Sequence, residues 1–209
     1  LFHILHLPKF QMFDFHYDLL TKLYISYLNN DFWEVEAICQ AFRQNNIKAL
    51  LANLCFETEA EMKKEYHPNY WNPEVGIKEM FQITVQLAKK YIPSDIEVYY
   101  SIEGCDFLEV EDLEEFYQMG LRSILPVWNH SNQYGSGNRT CQGLTPKGKA
   151  LIEKAVEVGI AIDLSHMNEK TFEDSLNVIE NLQKQGKKAI FFAPHSNIRR
   201  LCNIKRNLT

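Results

Sequence analysis

Six short runs along the chain are rich in apolar, β-branched and aromatic residues: MFDFHYDL (12–19), IKALLANLCF (47–56), IEVYYSIEG (96–104), LRSILPVWN (121–129), GIAIDLSH (159–166) and KAIFFAPHS (188–196). Several are apolar at nearly every position, which predicts strands buried on both faces. Helical patterns lie between them. Residues 31–46 place apolar side chains at 32, 35, 38 and 42 behind Asp31 as N-cap. Residues 72–92 begin with Asn72 as cap and Pro73 at the first helical position. Residues 110–120 close on Gly120, 144–159 open on Thr-Pro and close on Gly159, and 168–186 close on Gly186. No repeat or low-complexity linker divides the chain. Strand–helix alternation at this spacing predicts one α/β domain of parallel strands joined by helical crossovers. An open doubly wound sheet and a (β/α)8 TIM-type barrel both satisfy it. No G-x-G-x-x-G or G-x-x-x-x-G-K-[ST] follows any strand, which argues against nucleotide binding.

The polar residues gather at the ends of these runs. FDFHYDLL carries Asp14, His16 and Asp18 at a spacing of two, and residues i and i+2 of a strand share a face. His16 and Asp18 are therefore expected to project together, with Asp14 pointing the same way one step deeper in a supporting or core role. Run three ends in Glu103, run four in Asn129 and His130, run five in His166, and run six in His195. In parallel α/β folds the C-terminal strand ends collect function, and in a barrel they form one mouth. A single strand-end histidine is more often structural. Several on one side of one sheet favour a metal, and imidazole with carboxylate suits zinc or a similar divalent ion. His16, Asp18, Glu103, His166 and His195 are too many for one tetrahedral ion with an open position. They fit two ions sharing a bridging carboxylate, with Glu103 as the bridge and a hydroxide held between the ions as nucleophile. The aromatic stretch EYHPNYWNP (65–73) reads as packing on the barrel rim, with lining of a substrate pocket as the alternative. Arg199, Arg200 and Arg206 read either as solvated charge or as a carboxylate anchor.

Composition narrows the class. With 45% hydrophobic and 23% charged residues over 209 positions, the chain can build a real core. A net charge of −5 gives no sign of nucleic acid or an anionic membrane as a partner. No apolar run reaches the roughly 18 residues of a membrane span. Residues 1–11 carry two His, a Pro and a Lys without a small-residue cleavage site. They read as a non-native or flexible leader rather than a signal peptide. The five cysteines, at 39, 55, 105, 141 and 202, form no CxxC pair and predict reduced thiols in the cytoplasm.

Together FDFHYDLL, SIEG, LEEFYQMGLRSILPVWNHSN, GLTPKGKALIEKAVEVGIAIDLSH and PHSNIRRLCNIKRNLT resemble, in order from about residue 12 to the end, the membrane (renal-type) dipeptidase family. These are zinc enzymes among the amidohydrolase-like barrels, and the bacterial cytosolic members are the nearest in character. The resemblance implies a (β/α)8 barrel with a binuclear zinc site that hydrolyses dipeptides. His16 and Asp18 would hold the first ion, Glu103 would bridge, and His166 and His195 would hold the second. The substrate-contacting position aligns with Asn129, with His130 beside it as a rival. Arg206 matches the arginine used for the substrate's terminal carboxylate. Family members commonly form homodimers.

The chain also departs from the family. A typical barrel takes about 250 residues, and only about six β/α units are legible here, so residues 12–209 read as an incomplete dipeptidase barrel. An aspartate that the family places near the end of strand eight has no counterpart. Two open sheet edges and an exposed core flank are expected. Other metal-dependent amidohydrolase or phosphoesterase chemistry on the same scaffold, an inactive remnant, and a subunit completed by a partner are the alternatives to a dipeptidase.

Overall fold

The computed structural model describes residues 12–197, 199–204 and 207. The leader at residues 1–11 lies outside the described residues. Strands β1 (Met12–Tyr17), β2 (Ile47–Cys55), β3 (Glu97–Glu103), β4 (Leu121–Leu125), β5 (Ala161–Asp163) and β6 (Phe191–Phe192) form one sheet in chain order. Every neighbouring pair is parallel. Helices α1 (Leu19–Asn29), α2 (Trp33–Gln44), α3 (Glu59–Glu65), α4 (Gly76–Tyr91), α5 (Leu113–Met119), α6 (Pro146–Val158) and α7 (Glu169–Lys184) make the crossovers. The sheet curls into a half-barrel. Phe15 of β1 meets Phe192 of β6 at 6.1 Å, although no ladder joins those strands.

Register divides the sheet into two faces. Leu54, Ile102, Ile124 and Ile162 lie abreast on neighbouring strands and pack into the helix-side core. The alternate positions face the inside of the curl. Asn53, Ser101 and Ser123 form a buried polar floor there. Cys55 and Glu103 stand abreast one step closer to the C-terminal mouth.

Local signals placed several boundaries well. Thr145 caps α6 by accepting from the Gly148 amide, and Asn168 caps α7 by accepting from that of Thr171. Gly120 and Gly159 end their helices in the left-handed conformation. Other boundaries moved. The run at 12–19 is strand only to Tyr17, and α1 follows directly. No Gly or Pro separates the two, so the apolar pattern of α1 merges with that of the strand. The expected helix at 72–92 begins at Gly76. Asn72 instead closes a turn, its carbonyl accepting from Val75 and Gly76. Helix α3 was not foreseen, and β6 is far shorter than its run.

Both sheet edges are free of a further strand among the described residues, and they carry exposed apolar side chains: Met12, Phe13 and Phe15 on β1, Ile190 and Phe191 at β6. This matches the expected open flank. No helix is long and apolar enough to cross a membrane among the described residues.

Gly104 follows Glu103 with φ +77°, and a Cβ there would sit 2.0 Å from the Phe56 carbonyl oxygen. Only glycine lets β3 end this close to β2. Gly104→Ala is expected to lower stability by about 3 kcal/mol, the upper end for one strained residue. A urea midpoint within experimental error of the parent would overturn that account.

Candidate metal centre

Glu103 is the hub of the mouth. Register points its side chain into the curl, where it is 3% exposed. His16 Nε2 lies 3.2 Å from its Oε2, His166 Nε2 3.4 Å from Oε1, and His195 Nε2 3.9 Å from Oε1. The Cys55 thiol donates to Oε2 at 3.2 Å. Asp18 Oδ1 lies 3.3 Å from His16 Nε2. The rings of His16 and His195 are 3.8 Å apart and those of His166 and His195 4.7 Å. The five residues proposed from the sequence as ligands thus gather at one spot, from four strand ends and one helix start.

The route of two of them differs from the i, i+2 expectation. Asp14 pairs with Leu50, a helix-side position, and the ladder breaks register between Asp14 and Tyr17. The bulge turns His16 into the mouth while Asp14 stays off that face and accepts from the His16 amide at 3.1 Å. Asp18 has left the strand. It occupies the N-cap position of α1 but makes no side-chain cap bond, so its carboxylate is free to turn toward His16. His166 lies beyond β5 with φ 65°, a left-handed conformation that costs a non-glycine residue about 1–2 kcal/mol.

A second layer holds the imidazoles. Asp163 is buried, with Oδ2 3.8 Å from His16 Nδ1 and 4.0 Å from His195 Nδ1, while Oδ1 accepts from the Ser165 amide at 2.8 Å. Asn129 Oδ1 lies 3.2 Å from His166 Nδ1. Each histidine thereby presents Nε2 to Glu103, as a carboxylate or amide behind a metal-ligating imidazole arranges it. The sequence reading missed Asp163 and Cys55. An acid inside an apolar strand, three residues before His166, was the available sign for Asp163. Cys55 ends the one early strand to which no polar end residue had been given.

The donor set fits a divalent cation. Zinc bound by nitrogen and oxygen at 2.0–2.1 Å sets neighbouring tetrahedral ligand atoms about 3.3 Å apart. The separations of 3.2, 3.3 and 3.4 Å match that edge. Charge points the same way, with the carboxylates of Asp18, Glu103 and Asp163 surrounding the imidazoles. Burial pushes the Glu103 carboxyl up. Burial opposes charge on His16, yet Asp163, Asp18 and Glu103 together push its pKa up to about 11. Burial also works against the Asp18 carboxylate, but His16 overrides it and holds Asp18 below its usual range. Without a bound cation, a proton on His16 would supply the positive charge that this pocket demands.

Asn129 apart, the remaining proposed residues sit away from the centre. His130 Nδ1 lies 3.1 Å from Glu61 and 3.4 Å from Glu57 on the rim. The Asn129 amide donates to Glu57 at 3.1 Å, joining rim and centre. Arg199 pairs with Glu169 and donates to the Asn207 carbonyl. Arg200 is exposed, and Arg206 lies outside the described residues. Of the aromatic stretch 65–73, Tyr70 is fully buried and donates to the Cys55 carbonyl, while Trp71 stacks on Phe107. Both contacts are rim packing.

Comparison with known proteins gives a consistent picture. The sequence model for membrane dipeptidase (peptidase family M19) matches residues 7–209. An uncharacterised protein of the pqqA 5′ region of Klebsiella pneumoniae is 39% identical over 118 residues, 52% of this chain and 41% of the relative. An uncharacterised protein of the PQQ-III 3′ region of Acinetobacter calcoaceticus is 34% identical over 124 residues, 54% of this chain and 37% of the relative. The matched stretches thus span about two fifths of these curated relatives. A Rhodobacter sphaeroides metallopeptidase, solved with a phosphinate mimic of the dipeptide L-Ala-D-Ala, superposes with a TM-score of 0.70 at 20% identity, covering 96% of this chain and 69% of that one. That likeness establishes the fold.

Two expectations follow from the geometry. His16 holds its proton more tightly folded than unfolded, so its contribution to stability is complete below pH 6.5 and is lost as pH rises toward about 11. In chelator, the urea midpoint should fall across that window in the parent and fall less in His16→Gln; equal slopes would refute it. At position 166, the glycine variant should be more stable than the alanine variant by about 1 kcal/mol, because glycine adopts φ 65° without strain. The reverse order would show that the left-handed backbone there carries no strain.

Proposed function

Since the chain belongs to the membrane dipeptidase family, peptidase family M19, we propose that it carries the metal centre of a dipeptidase that hydrolyses the peptide bond of dipeptides. The observation that carries this is the convergence of His16, Asp18, His166 and His195 on the buried Glu103 carboxylate. In this reading Glu103 would serve as a donor to both of two zinc ions. His16 and Asp18 would hold one with it and His166 and His195 the other; the same donors would also accept Mn or Co. When bound, such ions supply polarisation of the scissile carbonyl and ionisation of a water.

The chain's own residues do the rest. Glu103 is held in one orientation by register and by Gly104. Asn129 contacts His166 Nδ1 at 3.2 Å, and the Asp163 carboxylate faces Nδ1 of His16 and His195 at 3.8 and 4.0 Å, which favours Nε2 of each ring toward the centre. Asn129 adjoins the centre, whereas His130 is held by Glu57 and Glu61, so Asn129 is the better placed of the two to meet the substrate carbonyl. Arg206 is assigned the substrate's terminal carboxylate, a task suited to a guanidinium. Reading both ends of a short substrate favours dipeptides over longer chains. A cytoplasmic location and homodimerisation belong to the same proposal.

The purified chain loaded with zinc should hydrolyse dipeptides. Glu103→Gln should abolish both turnover and stoichiometric metal, and Asp163→Asn should weaken metal binding about 10–100-fold. Hydrolysis of phosphate esters or cyclic amides in place of dipeptides would reassign the reaction. Full metal retention in Glu103→Gln would remove the bridge.

A further inference from the structure

We propose that Asn53, Ser101 and Ser123 form a binding site for a cluster of ordered water inside the curl, beneath Glu103, and that they steady the metal centre through that water as positioning residues. The link to the metal rests on the metal-centre reading above; the water site rests on the polar row alone.

The row is laid out by register. Asn53 pairs with Ser101 and Ser101 with Ser123 on adjacent parallel strands, so their side chains leave the sheet side by side on its inner face. Ala161 extends the row on β5 with only a methyl group. Barrel interiors normally fill such a layer with Val, Ile or Leu, so three short polar side chains and an alanine leave space inside the curl. Glu103 stands two residues further along β3, about 6.6 Å toward the mouth. Asp163 stands in the same relation to Ala161 on β5.

These side chains lack partners in the protein. Each of the three residues is 1% exposed, yet Asn53 Nδ2, Ser101 Oγ and Ser123 Oγ have no hydrogen-bond partner among the protein atoms. Buried hydroxyls elsewhere in the core, such as those of Thr21, Thr84, Ser136 and Ser175, bond within the protein. An unpaired buried hydroxyl is less favourable than a hydrogen in its place, so alanine would be the better residue at 101 and 123 if nothing bound there. Three such groups in one row point to a shared ligand. That ligand must accept from the Asn53 amide and donate toward the Glu103 and Asp163 carboxylates. Water does both, whereas a monovalent cation offers nothing to an N–H donor. Neighbouring strands stand about 4.8 Å apart, a gap that one water spans with two hydrogen bonds of about 2.8 Å. Water bound on this row gives the buried carboxylates donors from below and so limits the orientations in which they meet a metal.

The test compares the full chain with its Ser101→Ala/Ser123→Ala variant. Deuterium and oxygen-17 relaxation dispersion of the solvent counts long-lived internal water, urea unfolding reads stability, and chelator competition reads zinc affinity. The variant is expected to hold fewer internal waters, to unfold at lower urea, and to bind zinc about 10-fold more weakly. An unchanged water count with a higher urea midpoint would show a dry row and overturn the proposal. A parent midpoint that rises with K+ but not with N-methylglucamine, in a way the variant lacks, would assign the row to a cation and overturn it likewise. Loss of water with zinc affinity unchanged would refute the positioning role. If neither protein binds zinc, the metal-centre reading fails, and the water count still decides the row. Should the double variant not fold, the two single variants are compared in the same way.

Discussion

A carboxylate withdrawn from water at the end of β3 constrains everything around it. Burying Glu103 is unfavourable unless cationic or hydrogen-bonding partners surround it. The structure meets that demand with three imidazoles and a thiol from distant parts of the chain. None is a permanent cation, and Asp18 and Asp163 add negative charge. Without a metal the balance falls on His16, which retains its proton far above its ordinary range. A divalent ion relieves the same excess more completely, so one charge imbalance accounts both for the proton and for the expected metal.

The half-barrel is the frame that makes this gathering possible. Parallel strands in chain order deliver successive C-terminal ends to one rim, and curling brings the first and last within ring contact. Tolerances there are tight. Gly104 permits the approach of two strand ends, a bulge re-aims His16, and His166 adopts a left-handed backbone. Such departures from regular geometry cost stability and concentrate where a site must be built. Behind them, the Asp163 carboxylate faces two histidines at once and Asn129 contacts a third. The opposite flank, where β1 and β6 leave their outer edges and several aromatic rings exposed, is built to far looser demands.

Much of this was legible in the sequence because it is local. Alternating runs and helical spacing reveal the order of elements. Thr145 and Asn168 announce helix starts, and Gly120 and Gly159 announce helix ends, because caps depend only on neighbouring backbone groups. Polar residues at the ends of apolar runs, His16, Glu103, His166 and His195, stood out against their surroundings for the same reason. What tertiary structure alone decided is non-local. Asp14 and Asp18 share a spacing with His16, yet only Asp18 reaches the mouth, since a bulge and a helix start intervene. Cys55 reads as an ordinary core residue until register sets it beside Glu103. Asp163 reads as one more strand residue until the curled sheet brings His16 and His195 against it. Side-chain type and local periodicity are written in the chain, whereas which side chains share a small volume depends on strand register and sheet curvature, and those arise only when the whole sheet packs.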